Sequence, residues 1–245
     1  YTKWKSEQIC DKNIVVLGQD QKTYYKQIKT ALSLIGCTNI PELVCYQFVT
    51  LIDGKMSTRA GKVVLLEDLK KEALSKTMES STNCHTPEQI KKIAYATVLY
   101  SILKSSPEKE VTFDWESALS MDGNSALYIM YNYARIQSIK KKTQLPAISN
   151  VNWDYLSSDE EMELIKLIEQ YPEVIKKAHD DLNVFGIAQY VYALSKTFSK
   201  YYSHCKILDI NNLDSTVAKT YLITAVGNLI KSGMKILGID VVDKI

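Results

Sequence analysis

Ile14-Val15-Val16-Leu17-Gly18-Gln19-Asp20-Gln21 is the stretch on which the fold turns. Four apolar residues, three of them β-branched, run into a glycine and then into polar side chains, which is the pattern of a short buried strand from Asn13 to Leu17 entering a turn. Lys22 to Ile35 follows with helical spacing: Tyr25, Ile28, Leu32 and Ile35 share one face, and Gly36 stands just past the end. Leu43 to Ile52 is again β-branched and aromatic and predicts a second strand. Strand, helix, strand is the unit of a parallel α/β sheet. In such sheets ligands bind where strands end and helices begin, and a helix N-terminus favours anions there. Asp20 at that turn also suits a plain helix cap. So small a sheet leaves apolar faces and an edge uncovered.

The second strand feeds Gly54-Lys55-Met56-Ser57-Thr58-Arg59-Ala60-Gly61. Two glycines permit tight turns and close backbone approach to a ligand. Lys55 and Arg59 bring positive charge, Ser57 and Thr58 bring hydroxyl donors, and Met56 is an apolar pin. A triphosphate losing pyrophosphate needs a mobile cationic clamp of this kind. The same octapeptide also suits a solvated hairpin turn.

From about Thr86 the pattern is helical. Thr86-Pro87-Glu88-Gln89 is a capping box with proline at the first helical position, opening a helix to about Leu103. Ser125 to Lys142 forms a second helix, and Ser158-Asp159-Glu160-Glu161 caps a third through Gln170. Pro172 starts a short fourth, Val184 to Ser203 is a fifth, and Ser215 to Leu237 is a sixth, ended by Gly238. Six helices with short polar joints predict a bundle. The polar Ser75–Asn83 stretch is the expected division between residues 1–80 and residues 81–245.

Within the second helix, Tyr128, Tyr131 and Arg135 recur at spacings of three and four, along one face. Two phenol rings and a guanidinium on one stripe can stack unpaired bases and hold a phosphate. Bundle core is the competing reading for the tyrosines, and for Lys140-Lys141-Lys142 it is complementation of the helix dipole. Paired Glu160-Glu161 reads as a solvated first helical turn.

Composition sets outer bounds. A chain of 245 residues that is 46% hydrophobic and 24% charged is globular rather than disordered. A net charge of +2 marks no nucleic-acid binder by itself, so any such role must come from clustering. Five cysteines without a Cys-x-x-Cys pair favour a reducing cytosol. Cys84-His85 and His204-Cys205 lack ligand spacing, so no structural metal is expected. No apolar run reaches membrane-spanning length. Three scattered histidines make a Ser-His-Asp or Cys-His nucleophile implausible.

These stretches, in this order, resemble the arginyl-tRNA synthetases of class I. Gly54–Gly61 is similar to the Lys-Met-Ser-Lys-Ser signature loop, Ile14–Gln21 to the family's strand with Gly-x-Asp-Gln, and Gly123–Ile136 to its Gly-Asn-Thr-x-x-Tyr-x-x-Tyr-x-x-x-Arg helix. Lys235-Ile236-Leu237-Gly238-Ile239 resembles its terminal Leu-Leu-Gly-Ile. The resemblance implies the end of a class I Rossmann-type catalytic domain, an α/β remnant over 1–80, and an all-α anticodon-binding bundle over 81–245, mostly α overall. It implies ATP with Mg2+ as substrate, bound by Gly18, Asp20, Lys55, Met56 and Ser57, and arginine held by Gln21. Lys55, Ser57 and Arg59 are the implied catalytic residues, although Thr58 stands where the class has a second lysine. Gly123, Asn124, Tyr128, Tyr131 and Arg135 are the implied contacts to arginine tRNA. His85, His179 and His204 match no His-Ile-Gly-His motif, which implies the C-terminal half of such an enzyme, as a fragment or one piece of a split protein. Expected partners are tRNA, arginine, ATP and, in the split case, the N-terminal half as a separate chain; the chain is otherwise expected to be monomeric and cytoplasmic. A non-catalytic tRNA-binding module is the alternative.

Overall fold

The computed structural model describes residues 1–51, 66–80 and 86–245. They form two compact units, Tyr1–Lys55 with Ser105–Phe113, and Met56–Lys104 with Asp114–Ile245.

The first unit is α/β. It contains α1 (Thr2–Ser6), β1 (Ile14–Gly18), α2 (Lys22–Leu34), β2 (Glu42–Tyr46), β3 (Val49–Leu51) and, from the later segment, β4 (Val111–Phe113). β1 and β2 pair in parallel, from Ile14 opposite Glu42 to Gly18 opposite Tyr46. α2 crosses between them, anchored by Tyr25 and Leu32, and the buried Tyr25 hydroxyl donates to the Pro41 carbonyl at 2.5 Å. Ile35 does not join that face: it is exposed, because α2 ends at Leu34 and the chain turns through Gly36 at φ +82°. The expected second strand is two. The chain leaves β2 after Tyr46, Gln47 N–H donates to the Pro107 carbonyl at 2.8 Å, and β3 pairs in parallel with β4 instead. Val16, Tyr46 and Phe48 remain exposed, so this sheet has an uncovered apolar side.

The second unit is a helix bundle: α3 (Leu66–Ser80), α4 (Pro87–Leu103), α5 (Trp115–Ala118), α6 (Ala126–Lys140), α7 (Asp159–Asp180), α8 (Phe185–His204) and α9 (Leu213–Ile236). Local signals set the helix ends. Thr86 and Gln89 form a reciprocal capping box on α4, as do Ser158 and Glu161 on α7, and the Ser125 hydroxyl caps α6 by accepting from Tyr128 N–H. α9 closes through Gly238 at φ +76°, with Ile239 N–H reaching back to the Met234 carbonyl at 2.9 Å. Ile129, Met130, Ile136, Leu194, Phe198, Ile223, Ile230 and Met234 fill the core.

Three expectations need correction. The polar stretch expected as a joint is helical through Ser80, where α3 packs Ala73 and Thr77 inward and carries the Lys70–Glu67 and Lys76–Glu72 ion pairs outside. α7 runs unbroken through Pro172. A proline inside a helix costs about 3 kcal/mol in isolation, and here packing of Leu164, Tyr171, Val174, Ile175 and Ala178 on the bundle offsets it. Glu161 is not in a solvated turn: it is 2% exposed.

Candidate nucleic-acid interface

In the first unit, β1 ends at Gly18 and a single 3-10 turn, Gln19–Gln21, leads directly into α2. Gly18 has ordinary extended backbone, and a Cβ there would lie 2.6 Å from Oδ1 of the exposed Asp20 side chain, which can turn away. Asp20 does not cap the helix. Neither the turn nor α2 takes a side-chain cap, and Asp20 and Gln21 stand exposed at the C-terminal end of the parallel pair. Gln19 Oε1 is buried without a hydrogen-bond partner among the described residues. The Gly54–Gly61 loop, with Lys55, Met56, Ser57 and Arg59, lies outside the described residues.

In the second unit, Gly123 and Asn124 make the turn before α6. Gly123 sits at φ +76°. Asn124 faces the bundle: its Oδ1 accepts from the Tyr100 hydroxyl at 2.7 Å and its carbonyl from Lys104 Nζ at 2.9 Å. Burial pulls the Lys104 pKa down, and the Asp114 charge opposes that pull. Tyr128 is half-buried and tilts against Tyr192 of α8, with ring centroids 6.0 Å apart.

Tyr131 and Arg135 come together one turn apart on the outer face of α6. Arg135 Nη2 donates to the Tyr131 hydroxyl at 2.8 Å, and its Cζ lies 4.5 Å from the Tyr131 ring centroid. The same Cζ lies 4.3 Å from the ring of Tyr202 on α8. Both rings are partly open to solvent, Tyr131 at 39% and Tyr202 at 41%. A cavity of about 270 Å³ flanks Arg135 on the side of Tyr131, Asp243 and Lys244. Another of about 340 Å³ flanks it on the side of Tyr202, Lys142 and Lys206. Aromatic faces beside cations suit unpaired bases and phosphates.

Tyr202 and Lys206 have no place in the sequence-derived site, and Lys142 enters it only as charge at the end of the helix. The run Tyr201-Tyr202-Ser203-His204-Cys205-Lys206 is aromatic and basic, but only the packing of α8 on α6 shows that Tyr202 meets Arg135. A larger cavity, about 530 Å³ between α3 and α4, is walled almost wholly by apolar side chains and holds none of the expected site residues. Among the described residues no group of three His, Cys, Asp or Glu side chains is placed to hold a metal ion, and no helix is long and apolar enough to cross a membrane.

Comparison with known proteins divides the chain in the same order. Residues 2–115 match the class I tRNA synthetase (R) catalytic domain, and residues 129–245 match the DALR anticodon binding domain. The chain is 37% identical over 240 residues to an arginine–tRNA ligase of Clostridium beijerinckii, covering 95% of this chain and 42% of that protein. It is 33% identical over 235 residues to one of Methanocaldococcus jannaschii, covering 94% and 41%. Its fold matches the arginyl-tRNA synthetase of Thermus thermophilus with a TM-score of 0.80 at 21% identity, over 96% of this chain and 41% of that one. The chain thus spans well under half the length of these relatives.

Proposed function

Because the chain belongs to the arginyl-tRNA synthetase family, we propose that it takes part in ATP-dependent attachment of arginine to tRNA. The reaction joins arginine to ATP as arginyl-adenylate, releases pyrophosphate, and passes arginine to the terminal ribose of the tRNA. One observation carries the reading: the catalytic-domain and anticodon-domain matches follow one another along a single chain and between them cover nearly all of it.

In this proposal Gly18 and Asp20 form part of the adenylate site and Gln21 meets the arginine, at the strand end where α/β sheets bind ligands. Lys55, Met56, Ser57 and Arg59 act on ATP and its Mg2+, with Lys55 and Arg59 stabilising the charge that develops on the departing pyrophosphate. The α6 face binds the tRNA through Tyr131 and Arg135. Tyr128, Gly123 and Asn124 shape its approach, which suits the inward bonds of Asn124. The site of action is the cytoplasm.

These 245 residues alone are proposed to be inactive in arginine activation, since they contain no His-Ile-Gly-His-like motif; such a motif on a longer or separate chain completes the site. Arginine-dependent exchange of pyrophosphate into ATP by the purified chain would contradict this. Binding to arginine tRNA at two salt concentrations, against a copy with altered anticodon bases, tests the other half. Salt-sensitive binding that weakens with the altered anticodon supports a bundle that reads the tRNA. Equal binding to both copies removes the anticodon-reading role.

A further inference from the structure

From Ile93 to Leu103, α4 carries no charged side chain. Ile93, Ala96 and Tyr100 are buried in the bundle core. On its other side Tyr95, Val98, Leu99 and Ile102 recur at spacings of three and four and wall the cavity of about 530 Å³. A helix apolar on all sides is normally buried on all sides, yet Tyr95 is 53% exposed. The facing wall comes from α3, where Leu66, Lys70, Ala73 and Leu74 share one helical face and Leu66 is 62% exposed. At 1.5 Å per residue each stripe runs about 10–12 Å, roughly two helical turns. Small-molecule pockets carry several converging polar groups to orient the ligand. This one offers only the Tyr95 hydroxyl and two exposed lysines, Lys70 and Lys91. No carboxylate lines it. Lys70 is held by Glu67 at 3.0 Å, whereas Lys91 has no ion pair among the described residues.

We infer that the α3–α4 groove is a docking site for an amphipathic helix of a partner protein, with an apolar stripe bordered by carboxylates. Two apolar stripes side by side present the trough into which the apolar face of a third helix fits. The apolar stripe of the partner covers Tyr95, Val98, Leu99 and Leu74, and its carboxylates meet the rim at Lys91 and Lys70. Lys91 is the stronger rim contact, because its charge is not already offset. The site lies apart from Tyr131 and Arg135, so it goes beyond the RNA-binding reading and does not depend on it.

The test uses the full chain and three fluorescent helical peptides of about fourteen residues, roughly four turns each. The first has leucines at helical spacing bordered by glutamates. The second has lysines in place of those glutamates, and the third keeps the composition of the first with its leucines scattered. Fluorescence anisotropy should show binding of the first peptide and of neither other. Tyr95→Glu places a charge on the floor of the groove and should weaken binding more than about tenfold. Lys91→Glu should weaken the acidic peptide about fivefold and strengthen the lysine-bordered one, a swap that only a direct charge contact produces. Both residues are exposed, and far-UV circular dichroism of each variant confirms that α4 is intact. Equal binding of the acidic and scattered peptides, or unchanged affinity in Tyr95→Glu, overturns the docking site. Equal affinity for the acidic and lysine-bordered peptides overturns the partner chemistry. A dimer seen by sedimentation and dissolved by Tyr95→Glu also overturns the proposal, by giving the groove to a second copy of this chain.

Discussion

The carboxylate of Glu161 and the hydroxyl of Tyr201 meet at 2.8 Å, with Glu161 2% exposed and Tyr201 fully buried. The other carboxylate oxygen accepts Ser157 N–H at 2.9 Å and Ser158 N–H at 3.0 Å, and Lys219 Nζ stands 3.9 Å from the oxygen that Tyr201 bonds. One side chain thus closes the start of α7 and ties it to α8. Glu161→Ala strands two backbone donors and a phenol, and should cost about 3–5 kcal/mol by the usual penalty for breaking a buried charged network. Tyr201→Phe removes one donor and should cost about 1–3 kcal/mol. Urea unfolding should order the variants in that way; a Glu161→Ala midpoint close to that of the unchanged chain would mean the site is wetter than its geometry.

Stability should fall in alkali. Burial, then the charge and hydrogen bond of Asp243, push Tyr133 from its ordinary 10.0 up to about 12. Burial also raises Tyr100, Tyr190 and Tyr201. Each pKa is higher in the folded chain than in the unfolded one, so folding favours the protonated phenol. The contribution is whole below pH 10 and is lost as pH climbs toward 12 and beyond. Tyrosinate absorbance should rise together with loss of the helical signal as the buried set ionises. Loss of helix well below pH 10 would count against this assignment.

Gly233 of α9 packs directly on α8: a Cβ there would sit 2.4 Å from Val191 Cγ2, with Val191 fully buried. On an exposed helix Gly→Ala gains up to about 1 kcal/mol. Here the added methyl overpacks the core, at about 1–3 kcal/mol, so Gly233→Ala should lower the melting temperature. Combined with Val191→Ala it should recover part of the loss, and strict additivity of the two changes would show that they do not share this contact.

What could be read from the chain divides along local and distant causes. The turn at Gly18, the Thr86–Gln89 and Ser158–Glu161 boxes and the stop at Gly238 depend on neighbours within a few residues, and each stands where the pattern put it. β3 could not be told from β2, because what separates them is pairing with β4 some sixty residues on. α3 was hidden by its thin inward stripe, in which Ala73 and Thr77 are small and the flanks are charged. Pro172 looked like a helix start because the packing that carries α7 past it comes from other helices. The pairing of Tyr131 with Arg135 was legible as an i, i+4 step, whereas Tyr202 reaches them from α8, which no spacing encodes.

The two lysines beside Tyr202 should differ in their hold on RNA. Lys206 Nζ already lies 3.0 Å from Asp209 Oδ1, and that contact holds the carboxyl of Asp209 below its ordinary pKa. Lys142 is exposed and has no ion pair among the described residues. Binding of a cation to phosphate gains by releasing counterions, at a slope of about 0.7–0.9 per phosphate neutralised. A lysine whose charge is offset by a fixed carboxylate releases fewer of them. Lys142→Gln should therefore flatten the dependence of tRNA affinity on salt by nearly one, and Lys206→Gln by clearly less. Asp209→Asn, which frees Lys206, should steepen it. Titrations at four salt concentrations would show the order, and equal slopes for the two lysine variants would mean that Asp209 gives up its partner when RNA binds.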